Sequence, residues 1–279
     1  MSQPTTAEML SFALDLADEA DHLTMPYFRG DARVEAKADG SLVTRADRET
    51  EAYLRERILG RFPDHAILGE EQGFSPGAAG AARWLLDPVD GTHSFARGIP
   101  VWGTLIAFER DGAFEVGVAS APALGTRWWA GRGLGAYRGA LPARGHAGER
   151  IRASAIDALD RAQIVWGSYR LLFERWGASA DALMRAAWRT RGFGDFWGYC
   201  LVAEGSAEAM LEPEISPWDI AAMLVIVEEA GGRLTDVDGR VTVEAGHCVA
   251  TNGVLHDLVL RTLRGEVRPP PLDARAPGG

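Results

Sequence analysis

The most informative stretch of the sequence is Asp87-Pro88-Val89-Asp90-Gly91-Thr92. It follows the apolar run Trp84-Leu85-Leu86, which predicts a buried strand that ends at the first carboxylate. Pro88 cannot extend a strand ladder and Gly91 permits a tight reversal, so the chain is expected to turn here. Taken alone, the stretch is equally compatible with an ordinary Asp-Pro turn closed by an Asx cap.

Two side chains of this stretch have the chemistry of metal ligands. Asp87 and Asp90 lie three residues apart on the expected bend, with the carbonyl of Val89 between them. Carboxylate and carbonyl oxygens that converge on one point suit a hard divalent cation. Gly91 and Thr92 are expected to open a short helix, whose free N–H groups form an anion site. A metal beside a helix N-terminus is the arrangement that a phosphate ester requires.

Four further acidic residues, at three places in the chain, have local structural explanations when each place is considered alone. Asp47 falls in the first turn of a predicted helix over 46–60, where the helix dipole favours an acid. Glu70 and Glu71 follow a short buried strand, and consecutive acids at a strand end are usually solvated. Asp219 begins an apolar helix after Pro217 and is explained by helix capping.

The remaining pattern predicts a chain of alternating helices and strands. Helices are expected over 6–29, 177–188 and 197–205, with another from Pro217 to Gly231. Strands are expected over 66–68, 102–109, 114–121, 127–130, 162–167 and 207–212, with hairpin-like pieces in 233–252. Asp111-Gly112 is a hairpin signal between two of these strands. Residues 73–82 predict a mobile loop, and the aperiodic segment 138–150 predicts a domain junction.

Composition places the chain among ordinary soluble enzymes. It has 279 residues, an apolar fraction of 47% and a formal charge of −10, which argues against a nucleic-acid surface. Cys200 and Cys248 are far apart and outside any metal-ligand spacing, as expected for buried thiols in a reducing compartment. The most apolar windows, 101–108 and 220–227, are too short to span a bilayer, and no signal peptide is visible. A cytoplasmic protein without membrane or nucleic-acid partners is therefore expected.

The acidic motifs gain weight from their order along the chain. Gly69-Glu70-Glu71 precedes the 87–92 stretch, and Trp218-Asp219-Ile220-Ala221-Ala222 follows with a trailing Glu229-Ala230-Gly231-Gly232. In this combination, from Lys37 to about Asn252, the chain resembles the inositol monophosphatase family of magnesium-dependent phosphatases. One departure is Ser94, where the family usually has Asn. Little effect is expected, because Ser94 can still form a hydrogen bond and is not a family metal ligand.

The resemblance implies an α+β fold, a layered αβαβα sandwich of the inositol monophosphatase and fructose-bisphosphatase type, with the active site between two subdomains. Residues 1–145 would form the N-terminal subdomain with most metal ligands. Residues 146–265 would form an α/β subdomain that contributes Asp219 and the substrate contacts. The Pro- and Gly-rich tail, 266–279, is expected to be disordered. A homodimer is also expected by family resemblance.

The same resemblance implies a role for each acidic residue. Glu70, Asp87 and the Val89 carbonyl would hold a first Mg²⁺. Asp87, Asp90 and Asp219 would hold a second, and Glu70 would help a weaker third, giving two or three ions per site. Asp47 and Thr92 would orient and deprotonate the attacking water, while Gly91 and Thr92 would bind phosphate. Such chemistry depends on positioning and charge neutralisation and requires no Cys or His nucleophile.

Other segments indicate a branch of the family. Four segments are similar to the histidinol-phosphate phosphatases of histidine biosynthesis: Ile99-Pro100-Val101-Trp102, the run 119–124 with 127–129, Gly194-Asp195-Phe196, and the run 199–205. Histidinol has an ammonium and an imidazole, so its pocket should offer carboxylates and aromatic faces. Asp195 and Glu212 are the expected substrate contacts. Trp102, Phe196 and Trp197 are candidates for aromatic contacts or for core packing.

Alternative functions stay open at this stage. Within the phosphatases the substrate is alternatively myo-inositol 1-phosphate, a sugar bisphosphate or a nucleotide phosphate. A polyol pocket would favour neutral polar groups over an acid at Asp195, which separates these hypotheses. Some relatives in the family act as partners of the transcription machinery, which would call for an exposed basic or apolar docking surface. The acidic composition gives that hypothesis little support.

Overall fold

A computed structural model describes residues 3–28, 30, 34–36, 42–141 and 147–272 of the chain. These residues belong to two compact units. The first comprises Met1–Arg150 and Pro217–Glu229, and the second comprises Ile151–Ser216 and Ala230–Gly279. In the described part of the chain, every helix is too short or too polar to span a bilayer.

The described residues form both helices and strands, with several strands in succession. The helices are α1 (Thr6–Thr24), α2 (Arg45–Arg61), α3 (Thr92–Ala96), α4 (Tyr169–Ala186), α5 (Asp195–Ala203), α6 (Pro217–Glu229) and α7 (His256–Leu263). The strands are β1 (Glu35–Ala36), β2 (Leu42–Val43), β3 (Ala66–Gly69), β4 (Gly73–Ser75), β5 (Arg83–Asp90), β6 (Gly103–Arg110), β7 (Ala113–Ala121), β8 (Thr126–Gly131), β9 (Gly135–Ala140), β10 (Glu149–Arg150), β11 (Gln163–Trp166), β12 (Arg189–Arg191), β13 (Ala209–Glu212), β14 (Arg233–Thr235) and β15 (Cys248–Thr251). Two short 3-10 turns occupy Pro122–Leu124 and Leu159–Arg161.

The first unit is a three-layer arrangement around an eight-stranded sheet with the order β10-β9-β8-β7-β6-β5-β3-β4. Side chains such as Trp84, Ile106 and Val118 share one apolar core with α1 and α2. Successive strand residues point to opposite faces. Gly117, next to Val118, therefore faces α6, and a Cβ there would lie 2.2 Å from the carbonyl oxygen of Ala222. Helices thus cover both faces of this sheet.

The second unit contains a five-stranded mixed sheet with the order β12-β11-β13-β15-β14. Leu172 and Leu183 of α4, together with Leu260 of α7, pack against Leu211 and other residues of one sheet face. On the opposite face, α5 lies so close to β13 that a Cβ at Gly198 would be 2.4 Å from the sulfur of Met210. The three parallel strands β11, β12 and β13 bring their carboxyl ends to one edge of the sheet.

Local signals in the sequence explain several element boundaries. Thr5 and Glu8 form a reciprocal capping box at the start of α1, since the Thr5 amide donates to Glu8 Oε2 at 2.7 Å. The predicted Asp111-Gly112 hairpin is confirmed between β6 and β7, with φ of 53° and 76° at the two residues. Both values are positive, as a type I′ hairpin turn requires.

Other boundaries differ from the predictions. Strand β5 extends through Asp90 instead of ending at Asp87, and β4 lies within the predicted loop 73–82. Helix α1 ends at Thr24, before Pro26. Helix α4 begins at Tyr169 and is interrupted by non-helical backbone at Gly177, so the predicted helix over 177–188 corresponds to its second part. Helix α7 was not predicted, and its eight residues give too short a periodic signal.

The division into units also differs from the predicted boundary in one respect. The break after Arg150 lies near the expected residue 145, but α6, and Asp219 with it, belongs to the first unit and not to 146–265. The cause is packing, since α6 lies against β7 through Gly117. In the predicted disordered tail, the Leu272 amide donates to the Arg185 carbonyl at 2.7 Å. Residues 273–279 lie outside the described residues.

Candidate metal centre

Strand β5 contains a bulge at the predicted turn. Its pairing with β6 places Asp87 opposite Leu105 and Asp90 opposite Gly103, so Pro88 and Val89 together face Thr104 alone. Pro88 has no N–H to contribute to the ladder. Its carbonyl instead accepts a hydrogen bond of 2.8 Å from the Thr104 hydroxyl. The sequence predicted a turn at Pro88. Instead, the strand accommodates one extra residue as a bulge and continues.

The bulge determines which way the two carboxylates point. In a regular strand, residues three apart face opposite sides of the sheet. The extra residue between Asp87 and Asp90 cancels that alternation. Among the described residues, Asp87, Asp90 and Asp219 each offer a carboxylate oxygen, and the three oxygens lie within 4.8 Å of one another. We call these three residues the acid group.

The acid group combines residues from two elements of the first unit. Asp87 is buried, Asp90 is 9% exposed, and Asp219 in the first turn of α6 is half-buried. Burial raises the pKa of Asp87 well above its usual value, and the charges of Glu70, Asp90, Asp219 and Asp47 raise it further. Carboxylates crowded in this way are unfavourable unless a proton or a cation neutralises them. Three carboxylate oxygens are also the donors that a hard divalent cation prefers, so the residues present fit a metal ion.

Glu70 approaches this centre from the loop between β3 and β4. Its amide donates to the Leu86 carbonyl at 3.2 Å, one residue before Asp87. Its charge is close enough to raise the pKa values of both Asp87 and Asp47. Glu70 is not one of the three carboxylates grouped within 4.8 Å. The structure thus brings Glu70 next to the acid group as a neighbouring charge.

Asp47 and Thr92 form a linked pair. Asp47 is buried in the first turn of α2, where its Oδ2 accepts from the Thr44 amide at 2.8 Å and from the Thr44 hydroxyl. The Thr92 hydroxyl lies 3.0 Å from the Val89 carbonyl oxygen and 3.4 Å from Asp47 Oδ1. Burial raises the pKa of Asp47 to about 6 despite the Thr44 hydrogen bonds, with a contribution from the charge of Glu70. Gly91 has a φ of 79° and precedes α3, which begins at Thr92 as predicted.

Asp195 and Glu212 belong to the second unit, and both lie near Gly167. Glu212 ends β13, and a Cβ at Gly167 would lie 2.3 Å from its Oε2. Gly194 packs on Gly167, since its own Cβ would lie 2.6 Å from the Gly167 Cα. Asp195 follows as an exposed residue with a φ of 52°, rare for a residue with a side chain. Both acids therefore lie at the carboxyl edge of the parallel strands, where open α/β sheets bind ligands.

The aromatic candidates divide between core and surface. Trp102 and Phe196 are 0% and 1% exposed, so they belong to the packed interior. Trp102 shares a cluster with Val89 and Phe95, directly behind the 87–92 stretch. Trp197 is half-buried.

The structure adds polar residues that sequence reasoning missed. Thr44 could have been found, because Thr followed three residues later by Asp is close to a capping-box signature. Glu51 and Arg55 share with Asp47 and Leu54 the buried face of α2, so their helical spacing was a signal. Thr104 has no signal in the sequence, because its role depends on a register shift between two strands.

Layered α+β units and a group of buried carboxylates suited to a divalent cation are together typical of metal-dependent phosphatases. The family model for the inositol monophosphatase family matches residues 5–268. The chain belongs to the inositol monophosphatase family, whose members depend on metal ions, and it is a phosphatase.

Individual relatives agree with this assignment. The chain is 45% identical to the histidinol-phosphatase of Mycobacterium tuberculosis, over 91% of this chain and 97% of the relative. It is 42% identical to the histidinol-phosphatase of Streptomyces coelicolor, over 92% and 97%. The solved structure of the Thermotoga maritima IMPase is similar with a TM-score of 0.80 and 32% identity, covering 92% of this chain and 97% of that one. The predicted α+β layered fold class is thereby confirmed.

Proposed function

We propose that this phosphatase hydrolyses L-histidinol phosphate to L-histidinol and phosphate, with Mg²⁺ as its cofactor, in histidine biosynthesis. The acid group is the observation that carries the proposed reaction, because three carboxylate oxygens within 4.8 Å of one another suit a divalent cation. The choice of substrate is supported by the names of the two relatives with over 40% identity. We also expect a homodimer, on the basis of the family resemblance.

The metal ligands are assigned to residues of the first unit. Glu70, Asp87 and the Val89 carbonyl would hold one Mg²⁺, Asp87, Asp90 and Asp219 a second, and Glu70 would assist a weaker third. The shared position of Asp87 is supported by its burial and by the charges of four acids that raise its pKa. Ions at such a site lower the pKa of a water nucleophile and stabilise the leaving oxygen.

The proton acceptor is assigned to Asp47, acting through Thr92. The support is geometric, since the Thr92 hydroxyl lies 3.4 Å from Asp47 Oδ1 and the other Asp47 oxygen is held by Thr44. The Thr92 hydroxyl can therefore pass its proton to Asp47 and take a proton from an attacking water. The backbone N–H groups of Gly91 and Thr92 would bind the phosphate oxygens.

Substrate recognition is assigned to the second unit. Asp195, helped by Glu212, would pair with the cationic end of histidinol. Their position at the carboxyl edge of parallel strands supports this role. An ammonium that leaves bulk water requires a carboxylate partner.

A substrate panel with matched variants tests the proposal. Wild-type enzyme should release phosphate from histidinol phosphate faster than from inositol 1-phosphate, and EDTA should abolish both activities. Asp195→Asn should lower kcat/KM for histidinol phosphate by about 10- to 150-fold, the value of a lost charged hydrogen bond. Turnover of glycerol 2-phosphate, whose alcohol part carries no charge, should hardly change. Equal losses on the two esters would remove Asp195 from recognition, and a preference for inositol 1-phosphate would contradict the substrate assignment.

The second candidate function is an inositol-1-monophosphatase. It is favoured by the similarity to the Thermotoga maritima IMPase over nearly the whole chain. The same panel decides between the two candidates, because the metal chemistry is common to both.

A further inference from the structure

A buried ion pair lies beneath the loop that contains Glu70. Glu51 and Arg55 are one turn apart on α2, are 0% and 6% exposed, and the Arg55 Nε donates to Glu51 Oε1 at 2.8 Å. Burying two charges is costly unless further hydrogen bonds satisfy them. The partners that supply those bonds show what the pair does.

The carboxylate of Glu51 binds the backbone of the 70–72 loop. The Glu71 amide donates to Glu51 Oε2 at 2.7 Å, and the Gln72 amide donates to Oε1 at 3.0 Å. The third amide of the loop, that of Glu70, donates to the Leu86 carbonyl. All three loop amides are therefore held, two by Glu51 and one by the strand that contains Asp87.

Two neighbouring residues fit this arrangement. Arg55 donates to the Ser75 hydroxyl at 2.8 Å and to the Gly73 carbonyl at 2.5 Å, so the ion pair also binds the far strand of the same hairpin. Gly69 precedes the loop, and a Cβ there would lie 2.4 Å from Glu51 Oε1. Only a residue without a side chain leaves room for the carboxylate.

We propose that Glu51 is a positioning residue that fixes the backbone of Glu70 and so presents the Glu70 carboxylate to the metal centre. This inference rests on the proposed function, because Glu70 matters only if the centre binds Mg²⁺. Glu51 itself is turned toward the loop backbone and toward Arg55. Its effect on the metal is indirect, through the 70–72 loop.

The test measures metal affinity separately from turnover. Glu51→Gln keeps the size of the side chain but presents an amide –NH2 to a loop N–H or to Arg55. The Mg²⁺ concentration that gives half of the maximal thermal stabilisation should rise by about 10- to 100-fold, the usual effect of removing a partner that orients a metal ligand. kcat at saturating Mg²⁺ should recover to within about threefold of wild type. Glu49→Gln, which removes an exposed carboxylate from the same helix, should leave the Mg²⁺ midpoint unchanged.

A second variant reaches the same contact without a polar mismatch. Gly69→Ala displaces the Glu51 carboxylate by steric overlap and should raise the Mg²⁺ midpoint in the same direction. If Glu51→Gln does not fold, this variant decides. A lower melting temperature with an unchanged Mg²⁺ midpoint would reduce Glu51 to a structural role and overturn the inference. A wild-type protein that Mg²⁺ does not stabilise would overturn the proposed metal centre itself, and the inference with it.

Discussion

At the scale of single residues, the hydrogen bonds of Thr92 and Asp47 indicate different roles for neighbouring side chains. Thr92 lies between the Val89 carbonyl and Asp47 and has a single hydroxyl proton to donate. Asp47 has one oxygen occupied by Thr44 and one directed at Thr92. In the proposed mechanism, these contacts distinguish the proton acceptor Asp47 from the proposed metal ligands, although all of them belong to one acidic neighbourhood.

Removing the acceptor should therefore affect turnover without affecting metal binding. Asp47→Asn and Thr92→Ala should each lower kcat by about 10²-fold or more, with KM little changed, because general-base assistance is lost. The stabilisation of either variant by Mg²⁺, followed by thermal unfolding, should equal that of wild type. If Asp47→Asn loses this stabilisation, Asp47 is a metal ligand and its assigned role is wrong.

His256 provides a residue-scale prediction away from the centre. It is 0% exposed and lies 2.9 Å from both the Thr235 and Thr251 hydroxyls. Burial lowers its pKa from 6.5 to about 4. Between these pH values the unfolded chain binds more protons than the folded one, so stability is present above pH 6.5 and is lost as pH falls toward 4.

The loss should amount to about 3 kcal/mol, at about 1.4 kcal/mol for each pH unit. Urea unfolding of wild type and His256→Asn between pH 4 and 7 measures it. The variant should be less stable at neutral pH but should show a flatter dependence on pH in this window. Parallel curves for the two proteins would mean that His256 does not titrate in this way.

At the scale of elements, the position of Asp219 depends on the contact between α6 and β7. No side chain separates Gly117 from the Ala222 carbonyl, so the helix lies directly on the sheet. The start of α6 holds Asp219 beside Asp87 and Asp90 of β5. A glycine within a strand thus determines where Asp219, a proposed metal ligand from another element, lies.

Gly117→Ala should push α6 away from the sheet. The added methyl group should cost about 1–3 kcal/mol of unfolding free energy, as overpacking usually does, and should weaken the stabilisation by Mg²⁺. The matched control is Gly60→Ala in α2, where a Cβ meets nothing within 4 Å. That control should gain about 0.5–1 kcal/mol from helix propensity. Denaturant unfolding measures both effects. If Gly117→Ala leaves the free energy of unfolding unchanged, α6 can shift without cost and the prediction is wrong.

At the scale of the whole molecule, the protein has a formal charge of −10, and some of its acidic groups are concentrated around Asp87. Such a concentration is unfavourable in the empty protein and is relieved by a cation. The free energy of unfolding should therefore depend strongly on whether a metal ion is bound.

Mg²⁺ should raise the melting temperature of EDTA-treated protein. A ligand at 100 times its Kd contributes about 2.7 kcal/mol. Asp87→Asn should raise the melting temperature of the metal-free protein, because repulsion is removed, while it abolishes both the response to Mg²⁺ and the turnover. Differential scanning calorimetry with and without Mg²⁺ measures the three outcomes. Full activity in EDTA would contradict the metal scheme.

Much of the fold was predictable because its signals are local. The Asp111-Gly112 turn and the first turn of α2 each depend on residues adjacent in sequence, and the structure confirms both. The bulge at Pro88 was predicted as a turn, because the missing N–H of proline is visible in sequence whereas the continuing partner strand is not. Helix α7 and strand β4 were too short for their periodicity to be recognised.

The available chemistry can be read from the sequence alone. Its acids, their spacing and the motif order indicate a phosphatase of one family, since side-chain types and local turn geometry are properties of the chain. Tertiary structure decided which acids meet. Asp219 is more than 120 residues from Asp90 in sequence. Helix α6, packed over Gly117, brings Asp219 to the acid group. The bulge in β5 turns Asp87 and Asp90, the other two members, to the same side of the sheet. Glu51 holds the Glu70 loop for the same physical reason: hydrogen bonds and steric contacts act through space, and their partners are fixed only when helix and hairpin pack together.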